Sequence, residues 1–293
     1  MSRKVHFGYQ GEVWELERTV FRYGHTDHRL PRVIIIAAIH GNEPTGLRAL
    51  LELKPYLREH SAKLQGEVIG LIGNMRALEQ SKRYIDKDLN RMWAPSIQPE
   101  GRSEDMEKAE LEPYLEEHLA GEGKRYVLDL HTTSAESQPF MSVADTDVNR
   151  EFAAHFEMPG ISGIERFIEG PLLNHISQLG HVGLAFEAGQ HQDPKSVAVH
   201  VQFILESLHH CGILPSERFN EPKEVEEFDI VYRHGIIEED EFVMNPGYRN
   251  FTPIHKGQIL AHDKHGDIRA PKDGLLFMPL YQPDGNDGFF IIR

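Results

Sequence analysis

Apolar residues enter this chain as short unbroken runs. VIIIAAI (33–39), EVIGLIGN (67–74), RYVLDLH (125–131), FMSVA (140–144) and VGLAFEAG (182–189) each suit a strand buried on both faces. Between them lie longer amphipathic segments at 44–60, 105–120, 148–157, 171–179 and 194–210, which predict helices. Strands alternating with helices predict an α/β fold, a mixed sheet flanked by helices on both faces. After residue 212 the texture changes. PSERFNEPKEVEE is polar and proline-marked, and the short β-like runs that follow are broken by NPG, HKG, HGD, KDG and PDG turns. The expected organisation is an α/β domain over 1–212 and a small β-rich C-terminal domain over 213–293.

Composition narrows the class. A chain of 293 residues, 40% hydrophobic and 26% charged, can bury a substantial core. No apolar run approaches the roughly 20 residues that a spanning helix requires, so no membrane association is expected. The N-terminus MSRKVHFGYQGEVWE lacks the apolar segment of a secretory signal, which makes cytoplasm the expected location. A net charge of −15 disfavours nucleic acid as a partner. An anionic substrate would have to be recruited by local arginines against that field. The single cysteine, Cys211, excludes an internal disulfide and a cysteine-rich zinc site, and is expected to be a buried structural thiol.

Ionisable residues recur where apolar strands stop. In AAIHGNEPTG, His40 and Glu43 follow the first buried run, Gly41 gives the chain freedom to turn, and Pro44 suits a first helical turn. A histidine and a carboxylate three residues apart can reach one ion, and the pair is a normal zinc ligand set. A third ligand is then expected elsewhere, and His131, closing RYVLDLH, is the best candidate. Asp129 points to the same side of that strand. It either braces an imidazole or bonds to backbone. Glu187 interrupts the apolar GLAFEAG and suits a general base, because burial would raise its pKa. The polar segment KRYIDKDLNRMW (82–93) gathers Arg83 and Arg91 with Asp86, Asp88 and Asn90. Its arginines suit stabilisation of an oxyanion or a two-point hold on a carboxylate. Serine-elbow, Walker, dinucleotide-binding and HExxH motifs are absent from the sequence.

HGNE (40–43), RYIDKDLNR (83–91), DLHTT (129–133) and FEAG (186–189), in this order, resemble the succinylglutamate desuccinylase and aspartoacylase family, related to the carboxypeptidase A-like zinc hydrolases. The resemblance implies a zinc carboxypeptidase-like fold and one Zn2+ per chain held by His40, Glu43 and His131. It implies Glu187 as general base, Arg83 as the group polarising the scissile carbonyl, Asn90 and Arg91 as the hold on the substrate carboxylate, and Asp88 as the residue orienting the arginine loop. The expected activity is hydrolysis of the amide of a small N-acylated amino acid. Alternatives are a carboxypeptidase-like peptidase and a metal-retaining binding protein without turnover. A homo-oligomer is compatible with all three. The sequence departs from aspartoacylase in having Thr132 in place of an asparagine after the third ligand, and Ser177 where an arginine is expected before the base. A second substrate carboxylate would lack its partner unless Arg166 substitutes. Tyr281 is the candidate for the family's tyrosine near the C-terminus.

Overall fold

The computed structural model describes residues 3–215 and 226–293. In chain order its strands and helices are β1 (Lys4–Tyr9), β2 (Glu12–Glu17), β3 (Thr19–Gly24), β4 (Arg32–Ala37), α1 (Pro44–Glu59), β5 (Glu67–Ile72), α2 (Met75–Glu79), α3 (Ser103–Leu119), β6 (Arg125–Thr133), β7 (Phe140–Val143), α4 (Asp147–Ala153), β8 (Gly160–Ser162), α5 (Leu172–Gln178), β9 (Val182–Gln190) and α6 (Lys195–His210). After the undescribed segment, which contains most of PSERFNEPKEVEE, come β10 (Glu227–Gly235), β11 (Val243–Met244), β12 (Thr252–Ile254), β13 (Ile259–Asp263), β14 (Gly266–Arg269), β15 (Gly274–Phe277) and β16 (Asp287–Ile292).

The unbroken apolar runs form the middle of an 11-stranded mixed sheet, ordered β12-β15-β16-β10-β8-β7-β9-β6-β4-β5-β3. Strands β5, β4, β6 and β9 are parallel neighbours, as βαβ crossovers require. Every residue of β4, β5 and β6 is buried. Alternation across the pleat splits them between two layers. Val33 and Ile35 pack with Leu47, Leu50, Phe203 and Ile204 of α1 and α6. Ile34 and Ile36 face Leu111, Leu115, Leu172 and Ile176 of α3 and α5. Burying one such aliphatic side chain contributes roughly 1.5–3 kcal/mol, so the central strands fix the position of everything carried at their ends.

The sheet does not stop at the compositional boundary. Strand β10 pairs in parallel with β8 through Glu227↔Gly160 and antiparallel with β16, so the C-terminal β-rich part extends the same sheet. That part also has its own core around Leu260, Leu276, Phe289 and Ile291. Phe140 and Ile161 share a further cluster with Phe277 and Phe290 across the junction. Cys211 is buried and free, and burial pushes its thiol well above the ordinary range. No helix among the described residues is long and apolar enough to cross a membrane.

Candidate active site

The parallel strands bring their C-terminal ends to one place, and the chemistry collects there. Strand β4 ends at Ala37, and the chain leaves it through Ala38, whose φ of 57° is rare for a residue with a side chain. Gly41 works differently from expectation. It is not in the left-handed region; a Cβ there would lie 2.1 Å from the Ala77 carbonyl carbon, so glycine is required by close packing against α2. Pro44 opens α1 and leaves Glu43 at its N-cap, with its carboxylate turned inward.

Both Glu43 oxygens receive an imidazole. His40 Nδ1 is 2.8 Å from Oε1 and His131 Nδ1 is 3.1 Å from Oε2, while the Thr132 backbone N–H donates to Oε2 at 2.9 Å. The far nitrogen of each ring meets another carboxylate: His40 Nε2 lies 3.0 Å from Asp88 Oδ1, and His131 Nε2 lies 2.9 Å from Asp129 Oδ2. The second contact is an ion pair without hydrogen-bond alignment, since the Asp129 oxygens have no hydrogen-bond partner.

One donor atom from each of His40, Glu43 and His131 lies within 4.8 Å of the other two, and all three residues are buried. This donor set fits a divalent cation on chemical grounds. Two imidazoles and a carboxylate converge; the Asp88 carboxylate behind His40 bonds its far nitrogen, and Asp129 stands behind His131. Burial lowers the pKa of His131, but the Asp129 and Glu43 carboxylates outweigh it and hold the ring well above the ordinary imidazole range. Glu43 is held well below the carboxylate range, because the two histidines overcome the cost of its burial.

Glu187 sits opposite His131 in the register of β6 and β9. It is 6% exposed, and its Oε2 has no hydrogen-bond partner. Burial foremost, with the Glu43 and Asp129 carboxylates, pushes its pKa to about 8 against the opposing charges of His131 and Arg83. Both His131 and Glu187 lie inside their strands, since β6 continues to Thr133 and β9 to Gln190.

The segment 82–93 closes over the cluster. Arg83 donates to Asp88 Oδ2 at 2.9 Å and lies 3.6 Å from Glu43 Oε1. Asp88 is shared among His40, Arg83 and the Asn90 backbone N–H, and despite burial the charges of His40, Arg83 and Arg91 hold its carboxyl well below the ordinary range. The Asn90 side-chain oxygen accepts from the Leu172 N–H at 2.8 Å, which docks the segment on α5. Arg91 donates to the Asn90 carbonyl at 2.9 Å and to Asp287 Oδ2 at 2.8 Å.

His40, Glu43, Arg83, Asn90, Arg91, His131 and Glu187 all line one cavity of ≈ 100 Å³, and Asp88 stands behind it. Tyr281 and Arg166 do not join them. The Tyr281 hydroxyl donates to the Asn245 carbonyl at 2.6 Å, and Arg166 pairs with Asp229. The C-terminal wall comes from residues that sequence reasoning passed over, Gln282 and Asp287 among them. His191, also overlooked, lies between Thr132 Oγ1 at 2.8 Å and Gln282 Oε1 at 3.2 Å. Burial lowers its pKa. With 18 histidines in the chain and no motif spacing around GQHQ, nothing in the sequence distinguishes it. Asp287 follows a turn-forming stretch and likewise carries no signal of its own.

Comparison with known proteins decides the lineage. The family described as Succinylglutamate desuccinylase/Aspartoacylase catalytic domain matches residues 29–194, more than half of the chain. The chain belongs to the succinylglutamate desuccinylase/aspartoacylase family. Its metal-ligand candidates, arginine segment and Glu187 all lie inside the matched region. A succinylglutamate desuccinylase of Photorhabdus laumondii subsp. laumondii is 29% identical over 130 residues, which cover 42% of this chain and 40% of that family member. The solved structure of succinylglutamate desuccinylase from Vibrio cholerae superposes with a TM-score of 0.75 at 16% identity, covering 100% of this chain and 90% of that one. A product-bound ectoine utilization protein, EutE, from Ruegeria pomeroyi gives 0.70 at 18% identity, over 99% and 93% of the two chains. These likenesses show that the family fold extends through the β-rich C-terminal part.

Proposed function

We propose that the protein is a zinc-dependent hydrolase cleaving the amide of a small N-acylated amino acid. The observation that carries this reading is the pairing of a buried His40–Glu43–His131 donor set with a buried, unpartnered Glu187 carboxylate lining the same cavity. His40, Glu43 and His131 would hold the cation, which when bound supplies Lewis acidity for the scissile carbonyl and for water. Glu187 takes a proton from the attacking water and delivers it to the departing amine, so the amide C–N bond breaks into a carboxylate and an amine. The guanidinium of Arg83, fixed by Asp88, stabilises negative charge growing on the carbonyl oxygen. Asn90 and Arg91 grip the substrate carboxylate and set the bond in place.

Relatives carry the names succinylglutamate desuccinylase and probable aspartoacylase, which supports deacylation of acyl amino acids as the reaction class. The narrow cavity favours a small substrate over a peptide. The test is release of free amine from a panel of N-acyl amino acids and short peptides by the zinc-supplemented protein. Glu187→Gln is expected to keep its metal and lose about 10²–10⁴-fold in kcat, and His40→Ala to lose metal. Turnover near wild type in Glu187→Gln would remove Glu187 from the reaction. Full metal content in His40→Ala would discredit the ligand set.

A further inference from the structure

Around Arg91 and Asp287 the cavity carries charges that fit one carboxylate. Arg83 and Arg91 are the only lysine or arginine side chains lining it among the described residues. Arg83 is already matched by Asp88 at 2.9 Å. Arg91 is bridged at 2.8 Å to Asp287 Oδ2, whose other oxygen is held by Arg233. Two guanidiniums around one carboxylate leave a single net positive charge. Asp287 is anchored from both sides. Opposite charges within reach of a buried group stabilise its ionised form, and like charges oppose it. One substrate carboxylate on the free edge of Arg91 would neutralise the cluster. A second would meet Asp287 with no cation left to offset it.

Beside polar lining from Thr132, Ser134, Ser142, His191 and Gln282, the cavity has an apolar side. Ile164, Ile168, Leu173, Met278, Leu280 and Phe290 line the same cavity, and Ile168, Leu173 and Phe290 are buried. A charged group placed against such a wall loses its hydration without gaining a partner, while an aliphatic group gains from burial.

We infer that Asp287, clamped between Arg91 and Arg233, sets this site for monocarboxylate N-acyl amino acids with an apolar remainder and against dicarboxylates such as succinyl or aspartyl substrates. This rests on the deacylase reading for the location of the substrate, and selectivity is therefore measured by binding, apart from turnover. Calorimetric titration of zinc-supplemented Glu187→Gln protein with N-acetyl-L-leucine, N-acetyl-L-aspartate and N-succinyl-L-leucine is expected to give N-acetylleucine at least tenfold tighter than either dicarboxylate. Equal or tighter binding of a dicarboxylate, or no binding of any of the three, overturns the inference. Adding Asp287→Asn should raise dicarboxylate affinity and shrink the ratio at least fivefold. An unchanged ratio in a protein of wild-type thermal stability removes Asp287 from the selection. Amine release by the wild-type chain separates the two claims. Selective binding without turnover leaves this inference standing and sinks the deacylase reading.

Discussion

Glu187 shows how a site can be expensive to the fold that carries it. Its carboxyl is buried and unpartnered, with a pKa pushed to about 8 in the metal-free protein. The unfolded chain would titrate it near the ordinary carboxylate value. Between those two points the folded state binds the extra proton, so stability falls as pH rises. The stabilisation is complete below the unfolded pKa and lost above about pH 8. In protein stripped of metal, Glu187→Gln should therefore be more stable than wild type at pH 9, by on the order of 3–4 kcal/mol, with the difference vanishing towards pH 4. Thermal melts of both proteins across that range check it, and a pH-independent difference would refute the assignment. His131 and Asp129 carry a second prediction at this scale. Asp129 lies 2.9 Å from the ring nitrogen that faces away from Glu43. Asp129→Asn should weaken metal binding by about 10–100-fold, measured by competition with a chromogenic chelator. Unchanged affinity would make Asp129 a structural acid only. The types and order of these residues were legible in the sequence because buried strands rarely carry charge without a purpose. The orientation was not: that both Nδ1 atoms turn to Glu43 and both Nε2 atoms to a second acid depends on rotamers set by packing.

Individual elements explain how the polar segment 82–93 stays in position without regular structure along most of its length. Glu104, in the first turn of α3, is fully buried. Its Oε1 accepts from the Ile85 N–H at 2.7 Å and from the Asn74 side chain at 3.2 Å, and its Oε2 accepts from the N–H groups of Asp86 and Lys87 at 3.0 and 3.2 Å. One carboxylate thus anchors the backbone between Arg83 and Asp88. Glu104→Gln turns an NH2 group against N–H donors. It should cost about 2–4 kcal/mol of stability by urea denaturation and raise KM at least tenfold by loosening Arg83 and Arg91. A variant with unchanged KM would show that the segment holds itself. This anchor was invisible beforehand, because an acid 17 residues downstream of Lys87 has no spacing rule to mark it. The N-terminal hairpin was overlooked although its signal was present. Val5 and Phe7 alternate with exposed residues in β1, and Gln10 and Gly11, with φ of 47° and 85°, make the two-residue turn to β2. The helices fared better: 44–60 and 194–210 differ from α1 and α6 by one residue at one end, and 171–179 from α5 by one at each end, since their apolar stripes face a sheet buried on both sides.

At the scale of the molecule, the question is whether the compositional boundary near residue 212 is also a boundary of cooperativity. Texture alone suggested two units, because a helix-rich pattern gives way to short strands and turns. Physically, the two parts share a sheet through the β8–β10 pairing, and Phe140 and Ile161 pack with Phe277 and Phe290. They also share the site, since Asp287 and Gln282 from the second part face Arg91 and His191 from the first. Separating them would expose a sheet edge and an aromatic cluster to water. The division at 212 is therefore proposed as one of architecture, with folding coupled across it. Calorimetry of the metal-loaded chain should give a single transition whose van't Hoff and calorimetric enthalpies agree, and Phe290→Ala, which removes a side chain shared by the interface cluster and the cavity, should shift that whole transition downward by about 3–5 kcal/mol of stability. Two resolved transitions, only one of them moved by the substitution, would show that the β-rich part folds by itself and merely lends its residues to the site.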